Sequence, residues 1–423
     1  MQLAQISINV TLIMMVGRLG ATELAGVALG LQSFLAVFLF TLGLAIAVAP
    51  LVAQARGGRR YRDVRHAVCQ GFWATGAVAL PAGLLLWFAG SILRASGQDP
   101  AVAEAAAAFT RPIALGIAPW LWFFVIRNYM AAMDRPRPAL YVMLAAIVLN
   151  AGLGYGLVFG NFGLPAWGVA GAGVAAAIVG CFLPSALLLF ALNDRRLQRF
   201  NILGRIWRPD WPLFREIFRI GTPIGLALLF ETTLFLAALY LQGLISTVAQ
   251  AAHTVAIQLA SIAFMLPLGV SQAATVRVGL AAGRGDAEAV RRASGAAFAV
   301  GILCTGVSAL LFLLLPATLV GLFLDPAEPE TPAVLAAGVS FLAIAALFQL
   351  VDGAQVVAMG CLRGLKDTRV PMYIAGFGYW LVGLPLSCLL GFWFGMEGVG
   401  IWIGLAAGLA VTGVILVVWG GQQ

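Results

Sequence analysis

The sequence predicts an all-α integral membrane protein in which twelve transmembrane helices form two six-helix bundles related as parallel repeats. Of its 423 residues, 62% are hydrophobic and only 10% are charged, whereas a typical soluble domain has roughly 45–50% apolar and ~25% charged residues. The apolar residues form long uninterrupted runs, and the two halves of the chain share a sequence pattern. A soluble globular protein and a disordered protein are therefore both excluded.

The apolar runs are long enough to cross a bilayer, which takes about 20 predominantly apolar residues in a helix. They lie near residues 1–17, 25–53, 67–93, 105–132, 138–160, 169–192, 217–243, 251–280, 293–324, 333–362, 370–394 and 399–419. The first run reaches only about 24 Å at 1.5 Å per residue, less than the ~30 Å hydrocarbon core. We therefore expect the first helix to be truncated and Met1 not to be the true start.

The positions of the basic residues predict the orientation, because Arg and Lys concentrate in cytoplasmic loops. Most of the 25 basic residues lie in the alternate connections 54–66, 133–137, 193–219, 281–292 and 363–369. Both termini are therefore predicted to be cytoplasmic. The net charge of +8 is explained by loops that face anionic lipid headgroups, so nucleic acid is not an expected partner.

The two halves repeat one plan, since the segment Gly43–Gly57 resembles the segment Gly269–Gly283. We divide the chain into an N-terminal bundle at 1–192, a basic cytoplasmic linker at 193–216 and a C-terminal bundle at 217–423. An even number of helices in each copy keeps both copies in the same orientation across the membrane. Two such bundles facing a central cavity favour alternating access, and hence a transporter rather than a receptor or an enzyme.

Two acidic residues lie deep inside apolar runs, whereas the other acids lie in connections or near helix ends. Counting from Arg219 and Arg363 at the cytoplasmic edge, Glu231 and Asp352 are about 18 and 16 Å deep. A carboxylate at the bilayer centre costs roughly 2.5–3.5 kcal/mol, and such residues usually face a cavity or a partner. We predict that one or both acids form a cation-coupling site at which protons bind and leave during transport. A permanently protonated acid in a structural hydrogen bond between helices is the alternative.

Further residues are candidates for the ion and substrate sites because of their type and position. The polar neighbours of the two acids are Thr232, Gln258, Gln349 and Gln355. His253, near the outer end of its helix, is either a proton relay or an interfacial residue that forms hydrogen bonds. Aromatic surface for a cationic substrate is expected from Trp120, Trp122 and Tyr155. Pro223 precedes Glu231 by eight residues and is a candidate hinge, since proline loosens a helix; a tolerated kink that does not move is the alternative. Arg111 and Arg127, near helix ends, are expected to extend their charges toward the nearer membrane surfaces.

The sequence contains no motif of an enzyme site. It has no GxxxxGK[ST] loop to hold ATP phosphates, and His66 and His253 by themselves do not form a metal site. We therefore expect no catalytic residue, no metal and no cofactor. An ion gradient is expected to drive transport.

Several motifs in each half of the chain are similar to those of one family of membrane transporters. In the first half the similarity is carried by Val16–Ala25, Thr41–Leu44, Pro50–Gln54 and Phe159–Gly173. In the second half it is carried by Gly221–Ile224, Phe230–Phe235, Ala252–Ala256, Gln349–Asp352 and Leu362–Arg369. Together they cover essentially the whole chain, which resembles the multidrug and toxic compound extrusion (MATE) family, in its bacterial NorM-like branch.

The resemblance implies a V-shaped pair of six-helix bundles that exports drug-like, often cationic organic compounds in exchange for protons or sodium ions. Glu231 and Asp352 match acidic positions of the family, and His253 matches a recurrent one. Asn150 matches a polar position of the first bundle. The sequence departs from the family at Leu12, where related transporters often carry Asp, and at Gly154, where a second Asn is usual. An ion site in the first bundle is therefore left open.

The resemblance also implies a place and partners. We expect a monomer in the bacterial cytoplasmic (inner) membrane, whose partners are small organic substrates and the lipid bilayer.

A lipid-linked-precursor flippase of the same superfamily is the nearest competing hypothesis, and it should show a more cationic cavity. A major-facilitator transporter is also considered, because Arg56–Arg60 follows the second helix, and a non-transporting membrane scaffold would fit the hydropathy.

Overall fold

The computed structural model describes residues 2–198, 200–202, 204, 207–325 and 328–422. Met1, which we expect not to be the true start, lies outside the described residues, as do four positions of the predicted linker, Arg199, Leu203, Arg205 and Ile206. Over the described ranges, all regular secondary structure is helical.

The long helices follow the order of the predicted apolar runs. They are α1 (Gln2–Val16), α2 (Ala21–Gly57), α3 (Tyr61–Trp87), α4 (Pro100–Ala132), α5 (Arg137–Phe159), α6 (Gly168–Asn193), α7 (Trp211–Ile245), α8 (Thr247–Arg284), α9 (Ala287–Leu314), α10 (Thr331–Gly364), α11 (Arg369–Trp393) and α12 (Glu397–Gly421). Short helices at Ala89–Ala95, Arg195–Gln198 and Pro316–Gly321 lie between them.

Eleven of these helices, α2 to α12, are long and apolar enough to cross a membrane. The remaining one, α1, has 15 residues and is the short first helix of the predicted twelve. The predicted all-α membrane fold is confirmed.

Local sequence signals set several helix ends. The side chains of Asp99, Ser246 and Asp286 accept hydrogen bonds from backbone N–H groups in the first turns of α4, α8 and α9, which satisfies donors that have no partner within the helix. At the other end, α5 and α8 stop at Gly160 and Gly285, whose φ angles of 77° and 72° lie in the left-handed region. Glycine adopts this conformation without a Cβ clash.

The chain divides into two compact units, Met1–Gly225 and Leu226–Gln423. The division falls inside α7 rather than in the basic connection before it. The first part of α7 is therefore packed with the helices of unit 1, and the second part with those of unit 2.

In unit 1, α4 is the central helix and packs against α2, α3 and α6, while α1 packs against α5. Phe109 and Ile113 of α4 form a buried apolar cluster with Val27 of α2 and Val169 of α6. The start of α7 crosses α2 at glycines, because a Cβ at Gly43 would collide with the α7 backbone. Small residues of this kind let helix backbones approach closely in lipid.

In unit 2, α10 is the central helix and packs against α8, α9 and α12. Hydroxyl groups of α8 join α8 to α10: Ser271 Oγ donates to the Val356 carbonyl oxygen at 2.6 Å, and Thr275 Oγ1 donates to that of Gly360 at 2.8 Å. A Cβ at Gly364 would lie 2.9 Å from the Thr275 carbonyl oxygen. The central helix therefore carries both a close backbone contact and interhelical hydrogen bonds.

Helix α11 departs from regular α-helical hydrogen bonding. Its segments Phe377–Gly383 and Leu389–Trp393 are π-helical, with α-helical turns at Arg369–Gly376 and Leu384–Cys388. Gly408 of α12 packs closely against α11, since a Cβ at Gly408 would lie 2.6 Å from the Cα of Gly383. The apolar pattern predicted a helix here, but it carries no information on the π turns.

Candidate ion-coupling site

Glu231 is half-buried in the second part of α7, within unit 2. Leu234 and Ala238 of the same helix are buried in a core cluster with residues of α10, α11 and α12. Thr233 Oγ1 donates to the Leu229 carbonyl oxygen at 2.6 Å, so this hydroxyl is satisfied within its own helix. The apolar face of α7 thus holds Glu231 beside the central helix of unit 2.

Asp352 is buried in α10, with 4% of its surface exposed. It lies close enough to Glu231 for the two carboxyl groups to interact electrostatically. Gly353, the next residue, lets Thr305 of α9 pack directly against the α10 backbone. The structure therefore brings the two predicted acids together inside one unit, on neighbouring helices.

Two glutamine side chains of α10 flank Asp352 at three residues before and after it. Gln349 Nε2 donates to the carbonyl oxygen of Ala260 in α8 at 2.9 Å, and Gln355 Nε2 donates to the hydroxyl oxygen of Tyr379 in α11. Both side chains are at most 2% exposed. Within the described part of the chain, their Oε1 atoms are buried without a hydrogen-bond partner. Both amide oxygens are therefore available as acceptors or cation ligands near the acid pair.

Two residues of this cluster were not predicted from the sequence. Tyr379 of α11 is fully buried and interacts electrostatically with both acids. Arg363, near the end of α10, interacts electrostatically with Glu231 and with Tyr379. From the sequence, Arg363 served only to mark the membrane edge, and Tyr379 did not stand out from the apolar run around it.

The depth of Tyr379 was a signal that could have identified it. Tyr379 lies ten residues after Arg369, a basic residue at the cytoplasmic edge of α11. Ten residues of helix span about 15 Å, a depth similar to that of Glu231 and Asp352. Three polar side chains at one depth on three helices indicate a shared site.

The chemistry of this cluster suits a proton or a hard cation. It presents two carboxyl groups, two buried amide oxygens and a phenol next to an apolar core cluster. Carboxylate and amide oxygens are the ligands that hard cations prefer. A transition-metal site needs a larger set of ligating side chains. In the residues that the structure describes, no group of three His, Cys, Asp or Glu side chains could hold a metal ion.

The other predicted neighbours of the acids occupy different environments. His253 of α8 is buried, and its ring centroid lies 5.5 Å from that of Trp402 in α12. Gln258 of α8 is exposed, and Thr232 is half-buried beside Glu231. Of the predicted polar neighbours, the structure thus places Gln349, Gln355 and Thr232 nearest to the acids along their own helices.

In unit 1, the predicted polar residue Asn150 is fully buried. Its Nδ2 donates to the Ile8 carbonyl oxygen at 3.1 Å and so joins α5 to α1. Leu12 is also buried, and a Cβ at Gly154 would lie 3.0 Å from Met15 Sδ. The two departures from the family pattern therefore form an apolar contact between α1 and α5.

The three predicted aromatic residues are not equivalent. Trp120 is 8% exposed, and its Nε1 donates to the Ala176 carbonyl oxygen at 3.4 Å, so its indole belongs to the core of unit 1. Trp122 is 37% exposed and Tyr155 is 42% exposed. Only these last two present substantial aromatic surface.

The expectation that Arg127 extends to the membrane surface is wrong. Arg127 is only 5% exposed, and its guanidinium lies 4.5 Å from the ring centroid of Phe124. The reason is the central position of α4, whose next residue, Asn128, donates to the Ala45 carbonyl oxygen of α2 at 2.8 Å. Helices packed around α4 cover the arginine before it can reach the surface.

Pro223 lies inside α7, which continues through it without a break. On either side of it, a Cβ at Gly221 would lie 2.6 Å from the Cα of Leu44, and one at Gly225 would meet the backbone of Phe40. The division between the compact units follows Gly225. The candidate hinge therefore lies at the end of the part of α7 that is packed on α2.

Comparison with known proteins agrees with this architecture. The MatE family model matches residues 1–156 and 223–389, one segment in each half. A probable multidrug resistance protein NorM of Mesorhizobium japonicum is 44% identical over 98% of this chain and 89% of its own length. A protein of the same name from Pseudomonas aeruginosa is 38% identical over 98% of this chain and 85% of its own length.

Solved structures show the same fold. The crystal structure of a MATE protein in the bent conformation has a TM-score of 0.88 at 18% identity, covering 99% of this chain and 91% of that one. The eukaryotic MATE transporter AtDTX14 has a TM-score of 0.83 at 24% identity, covering 98% and 91%. The matched family model and the full-length relatives show that the chain belongs to the MatE family of membrane transporters, in its bacterial NorM-like branch.

Proposed function

We propose that the protein is a secondary active multidrug efflux transporter that exchanges drug-like, often cationic organic compounds for protons or sodium ions. The ion binds at Glu231 and Asp352, and transport follows alternating access. The protein acts as a monomer in the bacterial cytoplasmic membrane, with both termini in the cytoplasm. It carries out no chemical conversion and needs no resident cofactor.

The observation that carries this proposal is the pair of acids in unit 2. Glu231 and Asp352 come from different helices and interact electrostatically. Asp352 is buried, and Glu231 is half-buried on a helix whose Leu234 and Ala238 belong to an apolar core cluster. Maintaining carboxyl groups at such a depth costs folding free energy, so a functional role explains why they are there. The names of the relatives add the substrate class, since they are described as probable multidrug resistance proteins.

The physical basis of coupling is competition for negative charge. With the acids deprotonated and free of sodium, unit 2 favours a cationic drug. Once a proton or a sodium ion binds, that charge is neutralised and the drug is released. Binding of one species thus opposes binding of the other, and this differential affinity is what allows a ligand to shift a conformational equilibrium.

The driving force depends on the charge that is exchanged. One elementary charge moving through about 100 mV releases about 2.3 kcal/mol, equivalent to roughly a 50-fold concentration ratio. If the drug carries one positive charge and exchanges for one ion, the exchange is electroneutral, and only the ion concentration difference drives it.

Helix α7 is the element through which this binding acts. Its first part packs on α2 at Gly221 and Gly225, and its second part carries Glu231. Bending at Pro223 would move the acid relative to the fixed first part. Proline favours such bending because it removes one backbone hydrogen bond and crowds the preceding turn.

Efflux of a cationic dye from membrane vesicles tests the proposal. Glu231→Gln and Asp352→Asn remove a negative charge at nearly constant volume, and each is expected to abolish ion-driven efflux. Glu288→Gln is the matched control, because Glu288 is exposed and pairs with Arg292 at 3.2 Å. Coupled efflux at wild-type rate in both core variants would refute the proposed role of the acids.

Imposed pH and sodium gradients, applied separately, identify the coupling ion. The same vesicles test the flippase hypothesis, which predicts movement of a phosphate-bearing lipid rather than of the dye. The two acids oppose that hypothesis, because they would repel an anionic lipid-linked precursor.

A further inference from the structure

A third helix, α11, lies beside the two helices that carry the acids. On one side, a Cβ at Gly376 would lie 3.2 Å from the ring of Phe230, the residue before Glu231. On the other, Tyr379 is hydrogen-bonded to Gln355, three residues after Asp352 on α10. The turn of α11 from Gly376 to Tyr379 therefore contacts residues that lie close in sequence to each of the two acids.

The hydrogen bond at Tyr379 has a definite direction. The amide Nε2 of Gln355 donates, and the phenol oxygen of Tyr379 accepts. The O–H of Tyr379 is then available to donate to a different acceptor, and a buried hydroxyl normally has one. Both carboxyl groups, those of Glu231 and Asp352, interact electrostatically with Tyr379. A carboxylate of this pair is the acceptor that such an environment supplies.

The π-helical segment of α11 holds Tyr379 in this position. The preceding residue, Gly378, packs against α12, where a Cβ would lie 2.9 Å from the Gly408 carbonyl oxygen and would collide with Thr412. The segment Phe377–Gly383 has the wider π-helical turn, a feature that recurs at functional sites in helices. The close packing of Gly378 against α12 therefore holds the neighbouring Tyr379 in place, beside α7 and α10.

The charged groups around Tyr379 come from two helices. Glu231 faces it from α7, and Asp352 and Arg363 face it from α10. The packed residues of α12 at this level are the uncharged Gly408 and Thr412. Arg363 favours a negative charge on Glu231, as a hydrogen bond from the Tyr379 hydroxyl would.

We propose that Tyr379 is a positioning residue of the ion-coupling site: its hydroxyl donates to a carboxylate of the Glu231–Asp352 pair and stabilises the ion-free, negatively charged form. This rests on the proposed function of the two acids. Tyr379 keeps its own proton throughout. The transported proton binds a carboxylate oxygen and later leaves from that oxygen, at which point the carboxylate again accepts the hydroxyl hydrogen bond.

The test is Tyr379→Phe, which removes one oxygen and keeps the ring that fills the core. The binding of tetraphenylphosphonium, a cationic probe, is measured with purified protein over a range of pH. In the wild-type protein, binding weakens as the pH falls, because protonation neutralises the acids. Without the hydroxyl the carboxylate is less stable, so the site binds a proton roughly tenfold or more tightly. The pH at which tetraphenylphosphonium binding is half-maximal is expected to rise by about one unit or more.

Tyr240→Phe is the matched control, since Tyr240 of α7 is 68% exposed. Its midpoint is expected to equal that of the wild-type protein. A Tyr379→Phe protein with weaker maximal binding or lower thermal stability but an unchanged midpoint would overturn the proposal, because that result describes a packing role only.

Failure of this inference differs from failure of the proposed function. If Glu231→Gln and Asp352→Asn abolish the pH dependence while Tyr379→Phe leaves it unchanged, the acids are the coupling site and Tyr379 does not position them. If the pH dependence survives in both acid variants, the proposed function itself fails, and with it the basis for a role of Tyr379.

Discussion

A methyl group added at Gly378 tests whether the contact between α11 and α12 is as close as the structure shows. The new Cβ would lie 2.9 Å from the Gly408 carbonyl oxygen and 3.2 Å from Thr412 Cβ, and it would overlap Thr412 Oγ1. Two effects oppose each other. Replacing glycine by alanine inside a helix gains up to about 1 kcal/mol in helix propensity, whereas overpacking a tight contact costs about 1–3 kcal/mol.

At Gly378 the cost of overpacking is expected to exceed the gain in helix propensity. Of the three nearest atoms, one belongs to the helix backbone and one is a Cβ, and neither can rotate away. We expect Gly378→Ala to lower the free energy of unfolding by about 1–2 kcal/mol. Gly306→Ala in α9 is the matched control, since no atom lies within 4 Å of its added Cβ. That variant should be as stable as the wild-type protein or slightly more stable.

A double-mutant cycle identifies the atom responsible. Thr412 Oγ1 donates within its own helix to the Gly408 carbonyl oxygen at 2.9 Å, so Thr412→Ala alone should cost only about 0.5–1.5 kcal/mol. Combined with Gly378→Ala, it removes the overlapping hydroxyl, and the pair should show a favourable interaction of about 1 kcal/mol. Unfolding of the purified protein in detergent measures all four proteins. Additive losses, or a Gly378→Ala protein of wild-type stability, would show that α11 and α12 are not in this contact.

Two further predictions concern buried polar groups. Arg127→Met should raise the free energy of unfolding by about 1 kcal/mol or more, because a buried charge set against an aromatic face is costly to keep; an equal or lower melting temperature would contradict this. Ser271→Ala and Thr275→Ala each remove an interhelical hydrogen bond between α8 and α10, and each should lower stability by about 0.6 kcal/mol, at most about 1.7. A larger loss in either would mean that the hydroxyl has a second role.

The fold was largely predictable because the bilayer imposes a simple pattern. A run of about 20 apolar residues between polar connections can satisfy its backbone only as a helix, and α2 to α12 all follow such runs. The depth argument identified Glu231 and Asp352 for a similar reason, since a charge in lipid is costly wherever it lies along the helix. These are properties of the chain and its solvent, and they do not depend on which helices are neighbours.

The remaining parts of the site depend on neighbours. The depth of Tyr379 along α11 is a signal that the sequence carries, but its contact with Gln355 of α10 becomes visible only when α11 lies against α10. The first π-helical segment of α11 lies in close contact with α12, and a one-dimensional pattern does not record such a contact. Arg127 illustrates the converse, because its position near a helix end predicted exposure, while the packing of α2, α3 and α6 around α4 buries it.

The most direct test of the ion-coupling role is drug-driven ion counterflux with no imposed ion gradient. Proteoliposomes loaded with tetraphenylphosphonium are diluted into drug-free buffer, and proton and sodium movements are recorded. We predict that drug efflux through the wild-type protein drives protons or sodium ions inward in a fixed ratio, and that the double variant Glu231→Gln, Asp352→Asn shows no such counterflux. A double variant with counterflux of wild-type size would contradict the assignment of the coupling ion to these two carboxyl groups.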